Sequence, residues 1–152
     1  MKKYTRIGLK IKSDGQSVTV ISWIRVNHLQ LIRSTIGGVW LFHGIYSKIL
    51  VGIPRHQLIV ARILGPDMAM PITFLIGIGE VLIAAWWLSG KFQRTCAAFQ
   101  TLILASMNFL EIRLANDLLL SAVGMVFLNI ILVCSAWYVA IHSTSRVPAE
   151  KS

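Results

Sequence analysis

Long apolar stretches, separated by short polar or charged segments, dominate the hydrophobic pattern of the chain. We predict membrane-spanning helices at about residues 31–52, 71–89, 95–112 and 118–141. In the second stretch, no charged residue other than Glu80 lies between Asp67 and Lys91. As a helix, this stretch is long enough to cross a hydrocarbon core of roughly 30 Å. The pattern predicts an all-α, polytopic membrane protein with a bundle of four transmembrane helices.

The remaining segments are too short or too polar to cross a membrane. The stretch between Pro54 and Pro66 contains Arg55 and Arg62, and we predict a short amphipathic helix there, along the outer surface between helices 1 and 2. Residues 1–30 form a basic cytoplasmic or interfacial N-terminal segment, residues 31–141 the transmembrane domain, and residues 142–152 a cytoplasmic tail. This division leaves no room for a second domain.

Composition and charge support the membrane interpretation. The chain is 55% hydrophobic and 14% charged, whereas soluble domains carry about 25% charged residues. The net charge of +9 is compatible with binding to nucleic acid. The basic tail lacks interleaved aromatic residues, however, so we expect no nucleic-acid partner. Basic residues concentrate in the two termini and in the loop around residues 91–94. This bias predicts a multi-pass protein in the lipid bilayer with cytoplasmic N- and C-termini.

Polar side chains interrupt the predicted spans at similar depths. His43, Glu80 and Asn129 fall near the middle of the first, second and fourth spans, and Asn108 lies in the outer half of the third. A carboxylate at mid-bilayer costs about 2.5–3.5 kcal/mol on insertion scales, so Glu80 needs a partner. We therefore predict an intramembrane ligand-binding cluster in which His43 and Glu80 share a proton. The alternative is a structural hydrogen-bonded cluster that fixes which helices pair.

Charged residues near the outer ends of the spans form a second candidate group. Lys48, Arg62, Glu111 and Asp117 are predicted to make an ion-pair rim that closes the bundle. The alternative is a solvated edge, because exposed ion pairs contribute little stability. Gln100 is predicted to lie near the cytoplasmic interface.

Small residues accompany the polar cluster along the helices. At helical spacing, Gly77 shares a stripe with Glu80, and Gly44 follows His43 in the first helix. Glycines at these positions allow close backbone approach between helices.

Several motifs that would define an enzyme class are missing from the sequence. The chain has no nucleotide-binding Gly-rich loop following a strand and no histidine pair at metal-ligand spacing. We expect neither a metal nor an intrinsic cofactor. Whether the protein is an enzyme stays open.

Five sequence segments resemble the DoxX-like membrane proteins over about residues 32–139. These segments are WLFHGIYSKIL, IVARILG, ITFLIGIGEVLIAAWWLSG, AAFQTLILASMNFLE and GMVFLNIIL. The resemblance implies a four-helix protein of the bacterial inner membrane. It also implies recurring polar or glycine positions at His43, Gly44, Lys48, Gly77, Glu80, Asn108, Glu111 and Asn129.

The resemblance further suggests a function. Some relatives are linked to thiosulfate–quinone oxidoreduction or to membrane complexes that handle oxidative stress. We therefore expect a non-catalytic membrane subunit of a redox system, with an oxidoreductase as partner protein and a quinone as candidate ligand. The alternatives are a proton-coupled small-molecule carrier or a lipid-binding protein that uses Glu80 and His43, and a purely structural scaffold.

Overall fold

The computed structural model describes residues 16–143, with side chains described from residue 28 onward. This part of the chain is helical apart from short connections, and it contains no strand. Its α-helices are α1 (Gln16–Leu41), α2 (Arg55–Leu64), α3 (Pro66–Ser89), α4 (Gln93–Leu114) and α5 (Ala122–Ser143). A short 3-10 turn, Asn116–Leu118, lies between α4 and α5. Residues 1–15 of the predicted N-terminal segment and residues 144–152 of the tail lie outside the described residues, whereas residues 16–30 form the first part of α1.

The first helix changes its winding before it ends. From α1 the chain continues without a break into a π-helix, Phe42–Ile49, and the Leu50 amide donates a 2.8 Å hydrogen bond to the Ile45 carbonyl. The sequence indicated a helix here but not its winding. Because a π turn contains more residues than an α turn, it changes which side chains share a face. Gly44, Ser47 and Lys48 are buried together in this segment.

The long helices alternate in direction. Helix α3 packs against α1 and the π segment, α4 packs against α5, and α5 also contacts α1. His28 of α1 and Tyr138 of α5 are joined by a 3.2 Å hydrogen bond, so the start of α1 lies beside the end of α5. We call this end, which also carries the α3–α4 connection, the turn end. The opposite end, which carries α2, is the α2 end.

Within the described residues, three helices are long and apolar enough to cross a membrane: α3, α4 and α5. Helix α3 starts at Pro66, earlier than the predicted residue 71. The first turn of a helix tolerates proline because its backbone N–H groups have no intrahelical acceptor. Gly65, with a φ of 94°, separates α2 from α3, and glycine accepts this conformation without steric cost.

The apolar core lies toward the turn end. Trp87 is fully buried in it, and its indole N–H donates a 3.0 Å hydrogen bond to the Arg33 carbonyl. Trp40 donates a 2.8 Å hydrogen bond to the Gln100 side-chain oxygen. Gln100 is 1% exposed, so its side chain lies inside the bundle; its predicted depth near the cytoplasmic interface stays a prediction. Its amide is buried because the Trp40 indole satisfies it.

The π segment and α3 are in close backbone contact where two glycines face each other. A Cβ atom on Gly44 would lie 2.7 Å from the Gly77 carbonyl oxygen, and one on Gly77 would lie 2.9 Å from the Gly44 carbonyl oxygen. The predicted close backbone approach is therefore confirmed. It brings the π segment against α3 one turn from Glu80.

Candidate functional site: a buried polar cavity

An ion pair between Lys48 and Glu80 lies inside the bundle. The Lys48 Nζ atom is 2.7 Å from Oε1 and 2.8 Å from Oε2 of Glu80. The two residues are 4% and 5% exposed. Each charge therefore offsets the desolvation cost of the other. The predicted partner of Glu80 was His43, but the structure pairs Glu80 with Lys48, a residue that the sequence had suggested for the outer rim.

The ion pair borders a cavity of about 180 Å³. Helices α1, α2, α3, α4 and α5 and the π segment all contribute to its wall. The polar part of the wall consists of His43, Lys48, Arg55, His56, Glu80, Asn108, Glu111 and Asn129. The cavity thus brings together all four residues predicted for ligand binding, and it adds Lys48 and Glu111 from the predicted rim.

Two asparagines close the cavity on the side of α4 and α5. The Asn129 amide nitrogen donates a 2.7 Å hydrogen bond to the side-chain oxygen of Asn108. This bond satisfies one group of each residue. The second amide group of each asparagine, an N–H₂ on Asn108 and a carbonyl on Asn129, keeps its capacity to bind a ligand.

Helix α2 supplies two polar residues that the sequence had not suggested for the site. The ring centroids of His56 and His43 are 6.1 Å apart and nearly perpendicular. Burial lowers the pKa of His56 to about 4, and the charges of Lys48, His43 and Arg55 act in the same direction. The His56 imidazole is therefore neutral at pH 7, with one donor and one acceptor nitrogen. The buried Nε atom of Arg55 has no hydrogen-bond partner among the described residues.

The position of α2 explains why these two residues reach the site. The sequence predicted a helix along the outer surface. The structure has a short helix at this place, in which Ile59 and Val60 are buried and which packs against α3. Its apolar side is covered by the bundle, so its first turn faces the cavity. The periodicity of a ten-residue segment does not distinguish packing against the bundle from adsorption to a lipid surface.

The predicted rim is divided between two environments. Arg62 and Asp117 form an ion pair of 3.0 Å in which the side chains are 51% and 58% exposed. This pair joins α2 to the 3-10 turn. Lys48 and Glu111 instead line the cavity. The four residues therefore do not form one ring of charges, because α2 covers Lys48 and Glu111.

An apolar cleft of about 810 Å³ lies between α1 and α5. It shares part of its wall with the polar cavity, namely Val39, His43, Arg55, Leu119, Met125, Asn129 and Leu132. The cleft was not predicted, since it depends on how far two helices separate rather than on the pattern of either one.

The formal charges around the cavity are balanced, because Lys48 and Arg55 stand against Glu80 and Glu111. Imidazole and amide groups provide further donors and acceptors. Such a wall suits an uncharged polar group with carbonyl or hydroxyl oxygens. The described residues hold no group of three His, Cys, Asp or Glu side chains that could bind a metal ion.

Comparisons with known proteins agree with the resemblance noted in the sequence. No curated protein and no solved structure matches the chain significantly. The model of the DoxX-like family matches residues 37–137. This range covers most of the chain and includes every polar residue of the cavity wall. The match over these residues establishes that the chain is a membrane protein of the DoxX-like family.

Proposed function

We propose that this protein binds a quinone ring in its polar cavity and serves as a non-catalytic membrane partner of an oxidoreductase. The observation that carries the proposal is the buried Lys48–Glu80 pair beside a cavity with polar groups from several helices. Such a convergence of polar side chains within apolar surroundings is typical of small-molecule sites.

The chemistry of the wall favours a quinone over a charged ligand. A quinone ring is planar, apolar on its faces and carries carbonyl oxygens at its edge. Neutral donors such as His56 and Asn108 can bind these oxygens. A charged head group would upset the balance among Lys48, Arg55, Glu80 and Glu111.

The same side chains support a role in binding rather than in electron transfer. Ammonium, guanidinium, imidazole, amide and carboxylate groups bind ligands and move protons, but they do not carry electrons at ordinary potentials. The electrons for a bound quinone would therefore come from a partner oxidoreductase.

We further propose that the protein crosses the bacterial inner membrane four times. The fourth crossing is the part of the first helix formed by residues 31–49, which packs along α3. Arg33 lies near one end of this crossing, where a long basic side chain is tolerated, and Lys48 near the other end is paired with Glu80. In the sequence, basic residues are more frequent in the two terminal segments and in the α3–α4 connection than in the other connections, which supports cytoplasmic termini.

Equilibrium binding of a benzoquinone that carries only small ring substituents tests the ligand proposal. We expect the purified wild-type protein to bind it, and Glu80→Gln to bind it at least about tenfold more weakly, since the buried ammonium loses its partner. Arg62→Gln is the matched control, because Arg62 belongs to the exposed ion pair. Equal binding by wild type and Glu80→Gln would refute the proposal.

A second variant covers the case in which Glu80→Gln does not fold. Replacing Asn108 and Asn129 together with leucine removes both halves of a hydrogen bond, which is close to neutral for stability. A folded double variant that still binds the quinone like wild type also contradicts the proposal. The partner is tested separately: mass spectrometry of the protein purified gently from its native membrane should find a stoichiometric oxidoreductase.

A lipid-binding role is the second candidate, and the apolar cleft favours it. In that case native preparations would retain a specific lipid instead of a quinone. A proton-coupled carrier is less suited to the geometry, because Glu80 would have to separate from Lys48 in each cycle.

A further inference from the structure

We infer that the ligand is an amphiphile whose ring occupies the polar cavity and whose alkyl or prenyl chain lies in the cleft between α1 and α5. The ligand would then reach the cavity sideways, from the hydrocarbon of the bilayer. This inference rests on the proposed function, since it specifies the ligand of the same cavity.

The cavity and the cleft are adjacent and share part of their walls. Residues of both helices, among them Val39 and His43 on one side and Met125 and Asn129 on the other, line both spaces. A molecule in the cleft therefore contacts His43 and Asn129, which also line the polar cavity. The boundary between apolar and polar lining falls at His43 and Asn129.

The packing around the cavity favours this lateral route. Toward α3, the backbones of Gly44 and Gly77 are in close contact. At the α2 end, α2 covers the cavity with Ile59 and Val60 buried beneath it. At the turn end, His28 and Tyr138 join α1 to α5, and the apolar core fills the bundle.

The sizes of the two spaces indicate how a ligand would divide between them. Small-molecule sites usually measure about 300–1,000 Å³. The cavity, at about 180 Å³, lies below this range and suits a single ring. The cleft, at about 810 Å³, lies within it. The two spaces together fit a molecule with a compact polar head and a long apolar chain.

The outer part of the cleft is a surface that a membrane would face. Leu31 of α1 is 68% exposed, and Leu128 and Ile131 of α5 are 65% and 47% exposed. These side chains offer an alkyl chain the same apolar surroundings as the bilayer, while the adjacent cavity holds the head. The ring thus holds the ligand in the cavity, and the cleft favours ligands that carry an alkyl chain.

Two probes separate the contribution of the ring from that of the chain. One is the benzoquinone with small substituents used above, and the other is the same ring with a decyl chain. We expect the decyl form to bind wild type at least about tenfold more tightly, because the chain buries apolar surface in the cleft. Binding is measured at the same detergent concentration for both probes.

Ser135→Trp fills the cleft without touching the cavity, because Ser135 lines only the cleft. We expect this variant to bind the decyl form about as weakly as the small ring, with binding of the small ring unchanged. Ser106→Trp is the matched control, since Ser106 lies exposed on α4, away from the cleft. It should bind both probes like wild type.

The outcomes distinguish this inference from the proposed function. If the small ring binds and depends on Glu80, but the decyl chain adds no affinity, the inference is wrong and the proposed function stands. The inference also fails if Ser135→Trp weakens the decyl form no more than Ser106→Trp does. It fails likewise if added phospholipid removes the advantage of the chain, because an ordinary acyl chain then occupies the cleft. If neither probe binds, both the proposed function and the inference are wrong.

Discussion

At the level of single residues, the Lys48–Glu80 pair determines how substitutions in the site change the free energy of unfolding. Glu80→Gln leaves the Lys48 ammonium buried without a counter-charge, and we expect it to destabilise the fold by about 3–5 kcal/mol. Replacing both residues with methionine removes both charges and should be neutral or stabilising. Unfolding by a denaturing detergent in mixed micelles, followed by circular dichroism, measures both effects.

The comparison between these variants is diagnostic. If the double variant is as unstable as Glu80→Gln, the pair does more than neutralise two buried charges. In that case the ionic interaction between Lys48 and Glu80 would itself be required for the packing of the helices. Arg62→Gln gives the scale for an exposed pair, which contributes about 0–1 kcal/mol.

His56 predicts a pH dependence of stability. Its pKa is lowered from 6.5 to about 4 in the folded protein. Between these values the unfolded chain binds a proton that the folded protein does not, so stability decreases as the pH falls from about 6.5 toward 4. We expect His56→Gln to lose less stability over this interval. Unfolding measured at several pH values tests this, and an equal slope in wild type and His56→Gln would mean that folding does not lower the pKa of His56.

At the level of helices, the contact between Gly44 and Gly77 determines how close the π segment and α3 lie. Gly44→Ala places a methyl group 2.7 Å from a backbone oxygen, and we expect a loss of about 1–3 kcal/mol through overpacking. The controls are Gly38, which precedes the π segment in α1, and Gly79 of α3, since a Cβ at either position meets nothing within 4 Å. Alanine at these controls should be neutral or slightly stabilising. Equal effects at Gly44 and Gly38 would refute the close contact.

Much of the helical architecture could be predicted because it depends on local patterns. Long apolar stretches and their breaks located α3, α4 and α5, and the prolines around α2 marked it as a separate helix. The side of the bundle that Lys48 faces could not be predicted. A lysine near the end of a span can reach water as easily as a buried partner, and the π segment changes the helical phase on which such an argument depends.

Part of the site could also be predicted from local sequence patterns. His43, Glu80, Asn108 and Asn129 were recognised because polar groups in an apolar span require partners. Arg55 and His56 were not, because polar residues in a short segment are ordinary at a surface. Their role depends on α2 folding back over the cavity, which is a tertiary contact.

At the level of the whole molecule, the proposed orientation predicts that the turn end lies in the cytoplasm and the α2 end on the opposite side of the membrane. Lys91 lies exposed in the connection at the turn end, and Leu120, which is 91% exposed, lies at the α2 end. In a variant without the native cysteines, we expect Leu120→Cys to react with a membrane-impermeant maleimide in intact cells. Lys91→Cys should react only after the inner membrane is opened. Labelling of Lys91→Cys in intact cells would contradict the proposed orientation.

The pairing of Lys48 with Glu80 also has a consequence for biogenesis. The two residues come from consecutive long helices, so the carboxylate of α3 meets its counter-ion as soon as the first helical hairpin leaves the translocon. A nascent chain that presents α3 alone would insert a carboxylate at a cost of about 2.5–3.5 kcal/mol. We therefore expect the hairpin to be the unit of co-translational insertion, and fusions that begin after Lys48 to integrate less efficiently than fusions that include it.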